Sequence, residues 1–387
     1  MTRRGPEAVQ DGALLLGFVS LGAVGAAVPA SLPGSGLRLG VPASELLPAV
    51  SLLFLGLFAG VLVAAAPRRG SARTLLPVGS ALQAAGLALL AAAPTVPAFF
   101  AAALVTGLGF GLVEASATAL TRARSAQGTP ARLAALNGAA AVAAALAPLL
   151  LAFAPPAGLW VPIAALALVP AAGAVLASAA RTSWPVVSSR ERSRRGGGDG
   201  GDGRGGGAAR RLWPVAVALF LFVGAETILS GWSSTLPEAM LGLPAAGAAV
   251  GTTVFWTLMA VGRFVCTAIL ARGVPPRVCF TVACAAGTLL AVVGALVGHG
   301  IGAALLVCAV VVFVAPGYAL LLGSALARVP QTGAARTASV LVAVGAAGGS
   351  VISFALAATA GADPAAVLVS VAGLLAVSGL VARAAAR

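Results

Sequence analysis

Runs of about 20 apolar residues, separated by short polar or Pro/Gly-rich breaks, repeat along the whole chain. A hydrocarbon core about 30 Å thick is crossed by roughly 20 residues of helix. Such runs lie near 13–33, 46–66, 73–93, 97–120, 132–154 and 158–179. A second set lies near 213–235, 246–270, 276–297, 300–323, 336–360 and 364–384. The pattern predicts an all-α integral membrane fold with twelve transmembrane helices. The period-two alternation of a membrane barrel is absent. Arg3 and Arg4 before the first run imitate a secretory signal. That run is long enough to span, however, and eleven more follow, so it reads as an uncleaved first helix.

The one long polar stretch, Arg181 to Arg211, holds a Gly/Asp/Arg tract from Arg194 to Gly207. Such a composition buries no core and predicts a flexible linker. The expected organisation is therefore a six-helix half over 1–180, a cytoplasmic linker over 181–211 and a second six-helix half over 212–387.

Charge gives the orientation. The chain carries 24 basic residues, all Arg, against 10 acidic ones, for a net charge of +14. With the N-terminus in the cytoplasm, 22 of the 24 fall on that side: Arg3, Arg4, Arg68, Arg69, Arg73, Arg122, Arg124, Arg132, the eight linker Arg, Arg272, Arg277, Arg328, Arg336, Arg383 and Arg387. Arg38 lies outside and Arg263 within a span. The positive-inside rule places both termini and the linker in the cytoplasm of a multi-pass plasma-membrane protein. This placement accounts for the positive charge, and no aromatic-interleaved basic patch points to nucleic acid. With 60% hydrophobic and 9% charged residues, the chain is also far from a soluble domain.

The halves echo each other. Gly111 to Arg122 (GLVEASATALTR) aligns with Gly317 to Arg328 (GYALLLGSALAR), and Gly60 to Arg69 aligns with Arg263 to Arg272. Two like-oriented halves imply a pseudo-two-fold axis along the membrane normal. Proteins built this way place a small-molecule site near the midplane, between the halves.

Ionisable groups inside spans are costly, at about 2.5–3.5 kcal/mol on insertion scales, and mark function by default. Three lie well inside: Glu114 in the fourth span, Glu226 in the seventh and Arg263 in the eighth. Helical spacing groups Gly107, Gly111, Glu114, Thr118 and Thr121 in one stripe. Glu226, Ser230 and Ser233 form a second, and Thr252, Trp256, Arg263 and Thr267 a third. Glu114 reads as a substrate or proton site, or else as an interhelical hydrogen-bonding group. Glu226 reads as a site residue or as the partner of Arg263, and Arg263 as a gating or structural group. Asn137, Gln83 and Tyr318 divide between ligand contact and helix glue. Trp232 and Trp256 are stacking platforms, or in the case of Trp232 part of an interfacial belt. Gly56, Gly60 and the Gly345–Gly349 cluster suit close helix packing. Gly107-Leu108-Gly109-Phe110-Gly111 lacks the strand-turn-helix context of a dinucleotide site. The four Cys lie in apolar runs without metal-ligand spacing, and His299, the only His, sits at a loop. No cofactor or metal is expected, and nothing convergent suggests an enzyme.

Arg68-Arg69-Gly70-Ser71-Ala72-Arg73, between spans two and three, resembles the loop signature of the major facilitator superfamily, with Ala66-Pro67 where an Asp is usual. The resemblance covers nearly the whole chain and implies gating roles for Arg69 and Arg73. Two segments resemble the fucose-permease-like sugar branch. One is Gly107 to Leu120 (GLGFGLVEASATAL). The other is Val223-Gly224-Ala225-Glu226, then Gly231-Trp232, Phe255-Trp256 and Gly262-Arg263. In that branch the fourth-helix Glu is linked to substrate and protons, which the motif match carries to Glu114. The branch's first-helix Asp has no counterpart in Ala23 to Ser31. Ala143-x3-Ala147-Pro148 is an alanine version of a drug-antiporter signature. The resemblance implies a monomeric secondary transporter working by alternating access, coupled to protons, with a sugar or sugar-like substrate. Proton-driven efflux of an apolar or drug-like compound is the second expectation. A non-transporting membrane receptor or assembly protein is the third.

Overall fold

The computed structural model describes residues 4–66, 72–124, 129–154, 158–184, 205–327 and 331–384. Arg68, Arg69 and linker residues 185–204 lie outside them. Every regular element among the described residues is helical. In chain order these are α1 (Arg4–Leu39), a 3-10 turn (Ala43–Leu46), α2 (Pro48–Ala65), α3 (Ala72–Ala92), α4 (Val96–Arg124), α5 (Thr129–Ala152) and α6 (Trp160–Ala179). Then come α7 (Gly205–Gly231), the short α8 (Thr235–Leu241), α9 (Ala245–Ala271), α10 (Pro276–Val297), α11 (Gly300–Val314), α12 (Gly317–Leu326), α13 (Gln331–Ala360) and α14 (Pro364–Ala384). Twelve spans among them are long and apolar enough to cross a membrane.

Three elements differ from the hydropathy reading. The first helix runs from Arg4 to Leu39 rather than over 13–33, because polar flanks continue a helix that hydropathy alone would end. The seventh stops at Gly231, and a separate short helix begins at Thr235. The tenth span breaks into α11 and α12 at Ala315–Pro316. Pro316 has no N–H for the Val312 carbonyl, and its ring crowds the preceding turn.

The chain forms two compact units. The first holds Met1–Val187 together with Ser233–Thr235 and Leu243–Trp256. Within it, α4 lies between α2 and α3, and glycines set both contacts. A Cβ at Gly107 would overlap the Leu53 carbonyl of α2, and one at Gly111 the Leu57 carbonyl. Gly56 and Gly60 meet Leu104 and Leu108 of α4 in the same way. Gly109, two residues round the helix, faces Gly79 and Gln83 of α3 instead. Alternating glycines thus let one helix approach two neighbours at backbone distance.

Toward the Arg-rich end, Leu14, Phe18, Leu76, Val113, Leu120, Leu136 and Trp184 form a core drawn from α1, α3, α4, α5 and the turn after α6. Polar contacts hold that end. Asp11 pairs with Arg124 at 2.6 Å and with Arg132. The Arg124 guanidinium lies 5.9 Å above the Trp184 ring. Arg73 donates to the Trp184 carbonyl at 3.5 Å, and Gln10 Nε2 donates to Ser183 Oγ at 2.9 Å. At the Arg-poor end, Arg38 donates to the Leu90 carbonyl at 3.2 Å and to that of Ala91, capping α3. The last carbonyls of a helix have no helical donor, and a cation there is favoured. This contact gives Arg38 a structural role.

The second unit holds Ser188–Trp232, Leu236–Gly242 and Thr257–Arg387, with α7 as its hub. Gly348 of α13 abuts the Phe220 carbonyl, and Gly345 of α13 packs on Val223. Phe222 fills the space beside Gly317 and stands 5.6 Å from the Phe280 ring. Ser378 of α14 donates to the Ala218 carbonyl at 2.9 Å.

Candidate functional site

In the first unit, Glu114 stands on α4 with its side chain partly exposed. One turn before it, Phe110 touches the position of a Cβ at Gly25 of α1, at 3.5 Å. Residues four apart share a helix face, so Glu114 lies on the α4 face that meets α1. On α5, Ala140 receives Gly22 of α1 at backbone distance, and Asn137 precedes it by about one turn. α4 runs toward the Arg-rich end and α5 away from it. Glu114 and Asn137 therefore lie at similar depth, each about one turn inward of the Gly22–Gly25 level. Asn137 is exposed and has a partner. Glu114 makes no hydrogen bond or ion pair among the described residues.

The other members of the expected α4 stripe do different work. Gly107 and Gly111 are covered by α2, and Thr121 is fully buried, its hydroxyl turned back to the Ala117 carbonyl at 2.8 Å. The stripe is a packing ridge up to Gly111, and only Glu114 and Thr118 beyond it are partly exposed. Gln83 is fully buried, and its Oε1 accepts from Ser20 Oγ of α1 at 2.8 Å. Its geometry here is that of a link between α1 and α3. A single serine in an apolar run gave no sequence signal for that pairing. Trp256 stands edge-on to Phe255, ring centroids 5.3 Å apart, and its Nε1 is buried without a partner among the described residues.

In the second unit, Arg263 of α9 approaches Glu226 of α7, with Nη2 and Oε1 3.6 Å apart. That distance makes an ion pair rather than a tight hydrogen bond. Arg263 Nε also donates to the Ala315 carbonyl at 3.2 Å, at the end of α11. Gly262 makes this reach possible, since a Cβ there would overlap the Val312 carbonyl and crowd Ala315. The guanidinium therefore neutralises an intramembrane acid and caps the broken tenth span at once. Tyr318, second residue of α12, is half-buried and engaged.

Two sequence readings are corrected here. Ser233 does not continue a stripe from Glu226, because α7 has ended; its hydroxyl lies 2.9 Å from that of Thr252. Trp232 is fully buried rather than interfacial, and its Nε1 donates to the Gly361 carbonyl at 2.7 Å. That contact fills its donor and makes it a strut.

The ion pair has a measurable signature. Removing one partner of such a pair strands the other charge. Arg263→Gln and Glu226→Gln should each lower stability in detergent, and the double variant should recover part of the loss. The expected coupling is about 1–3 kcal/mol from a double-mutant cycle on chemical or thermal unfolding. Additive single effects would show that the two charges do not sense each other.

No protein-family model matches the chain, and no curated relative is found. Solved structures do match. The nucleoside transporter NupG is similar at 14% identity when a variant of it is compared, over 98% of this chain and 100% of that one, with a TM-score of 0.70. A peptide transporter, POT, in complex with sulfate is similar at 16% identity over 97% and 94%, with a TM-score of 0.74. FucP, a major facilitator superfamily transporter in the outward conformation, is similar at 18% identity over 97% and 99%, with a TM-score of 0.59. A further structure of FucP describes it as the E. coli fucose:proton symporter. At these identities the likeness is one of fold. The chain has the major facilitator fold, and among the described residues every regular element is helical and twelve spans are long and apolar enough to cross a membrane.

Proposed function

We propose that this chain is a secondary active transporter of the cytoplasmic membrane. It moves a small solute by alternating access, coupled to protons, with a sugar or sugar-like substrate favoured. One observation carries the reading. Of the two acids well inside the spans, Glu226 is held by Arg263, whereas Glu114 is partly exposed with no partner among the described residues. A carboxyl kept in the membrane at such cost without a structural bond is available to bind a proton or a substrate hydroxyl. The matched folds belong to nucleoside, peptide and fucose transporters, the last described as a proton symporter, which supports the reading. Glu114 and Asn137 would serve substrate and proton from the first half, and Glu226, Trp256 and Tyr318 from the second. Gln83 would position α1 against α3. Arg263 and Arg73, with Arg69, would govern gating. Both termini and the linker would lie in the cytoplasm, joining halves at 1–180 and 212–387.

The test uses purified protein in two steps. A thermal-shift screen of sugars, nucleosides and peptides at two pH values finds a ligand. Solute-driven proton movement into reconstituted vesicles then checks coupling. A stabilising solute that moves without protons would remove the coupling. No solute-dependent flux, together with a stable protein partner in pull-downs, would favour a receptor or assembly protein.

Efflux of an apolar compound is the second reading. It is favoured by the polar side chains spent inside the bundle, such as the Ser20 hydroxyl on Gln83 Oε1 and that of Thr121 on its own helix. Matched uptake and efflux assays on cells expressing the protein separate the two directions.

A further inference from the structure

A tight turn between Ala271 and Pro276 joins α9 to α10 at the Arg-rich end. Gly273 takes a positive φ of 84° there, which lets the chain reverse. A cysteine stands on either side. Cys266 lies five residues before the end of α9, and Cys279 three residues after the start of α10. At 1.5 Å per residue they sit about 7.5 and 4.5 Å in from the turn. At such similar depth the side chains meet, and the Cys266 thiol is hydrogen-bonded to Cys279. Cys266 is buried and Cys279 half-buried.

Packing between the two helices does not account for this contact. Phe264, Val265 and Val278, beside the pair, are exposed, and α9 and α10 share few close backbone approaches. The other thiols are turned elsewhere. The Cys284 sulfur lies 3.6 Å from the position of a Cβ at Gly379 of α14, and Cys308 stands on α11. A single buried thiol is an inert, small apolar group. Two thiols in contact, one of them reachable, differ, because the second sulfur can resolve what an oxidant forms on the first.

We propose that Cys266 and Cys279 form a redox-sensitive dithiol, which a peroxide closes to a disulfide across the α9–α10 turn. The half-buried Cys279 is the one a dissolved peroxide reaches first. Its sulfur attacks one peroxide oxygen and the O–O bond breaks. A sulfenic acid remains, and the other oxygen leaves as water with the thiol proton. The Cys266 sulfur then attacks that of Cys279. The S–S bond forms, the S–O bond breaks, and the second water carries off the Cys266 proton. Two thiols and one hydrogen peroxide thus give one disulfide and two waters, with two electrons passing from sulfur to oxygen. A dithiol reductant reopens the bond by thiol–disulfide exchange. The proposed orientation puts this turn in the cytoplasm, where thiols are held reduced and disulfides sense oxidants. Once closed, the bond braces α10 against the part of α9 that carries Arg263, one turn before Cys266.

The test counts thiols on the purified, reduced full chain treated with hydrogen peroxide. Free thiols should fall from four to two per chain and return with dithiothreitol. Peptide mass spectrometry should find one intramolecular link, between Cys266 and Cys279. Cys266→Ser should stop at the sulfenic acid, which dimedone traps on Cys279. Cys279→Ser should keep its remaining thiols, and Cys284→Ser with Cys308→Ser should close as the parent does. The closed parent should unfold several degrees above the reduced one, because the link restricts the unfolded chain.

Four thiols persisting at a peroxide dose that oxidises the unfolded chain overturn the dithiol. A link between any other pair, or between two chains, does the same. If the serine variants do not fold, the link sought in the parent decides by itself. A link between Cys266 and Cys279 without a higher unfolding temperature keeps the modification and removes the brace. None of these readouts needs a solute. A chain that closes the disulfide but moves no solute refutes the transport reading alone, and a transporter whose thiols never close refutes the dithiol alone.

Discussion

Vesicles carrying Glu114→Gln should lose pH-gradient-driven accumulation of the solute by tenfold or more, on the order of a removed proton-transfer group, with the fold intact. Gln keeps the size and hydrogen-bonding reach of Glu but cannot take or release a proton. Glu114 has no bonding partner among the described residues, so the substitution strands no opposite charge. Size-exclusion profile and unfolding temperature should match the parent. Solute exchange with no gradient should survive, because it needs binding and reorientation but no net proton movement. The imposed gradient is acid outside for the uptake reading and is reversed for efflux. Full gradient-driven uptake by Glu114→Gln would sink the assignment of coupling to this residue. Glu226→Gln offers the contrast. It leaves the Arg263 guanidinium without its acid, so it should lose stability along with any activity.

Gly107→Val should leave almost no folded protein. The helix-four glycines meet α2 through backbone, since a Cβ at Gly107 falls on the Leu53 carbonyl and one at Gly111 on that of Leu57. A flexible side chain can turn away from an intruding methyl group, but a carbonyl inside a helix cannot. Overpacking a well-packed contact costs about 1–3 kcal/mol, occasionally more. A branched side chain against backbone belongs at the upper end of that range. The opposed pairs Gly56/Gly60 and Gly107/Gly111 also share one crossing, so separating the helices at one point loosens the others. Gly138→Ala is the control. Nothing lies within 4 Å of a Cβ there, and alanine is favoured over glycine in a helix by up to about 1 kcal/mol. It should be neutral or slightly stabilising. Fluorescence-detected size exclusion of whole-cell extracts reads both. A normal yield of monodisperse Gly107→Val would show that α2 and α4 can separate without loss of the fold.

These two expectations come from different levels of the chain. That Glu114 stands in a span is legible from hydropathy, because insertion cost is summed residue by residue over a contiguous segment. That it is left without a bond, while Glu226 is not, depends on helix rotation. Glu226 and Arg263 are 37 positions apart in sequence, and the third participant, the Ala315 carbonyl, lies 52 beyond Arg263. The glycines show the same division. Four-residue spacing marks Gly56/Gly60 and Gly107/Gly111 as packing positions, but which helix each pair meets appears only in the assembled bundle. Gly109, between Gly107 and Gly111, faces α3 rather than α2, since two residues turn a helix through about 200°.

The sequence by itself determined the membrane class, twelve spans, the expected orientation and the short set of ionisable groups inside. Each of these depends on the local free energy of moving residues out of water, or on charge beside a span, and neither needs a partner. Tertiary structure decided which of those groups are engaged. It paired Glu226 with Arg263, buried Gln83 against Ser20, and gave Trp232 the Gly361 carbonyl. It also brought the Ser234 hydroxyl to the Pro29 carbonyl of α1, which Pro33, four residues on, cannot pair. No local preference encodes that bond, because a contact across 205 residues is set by helix packing.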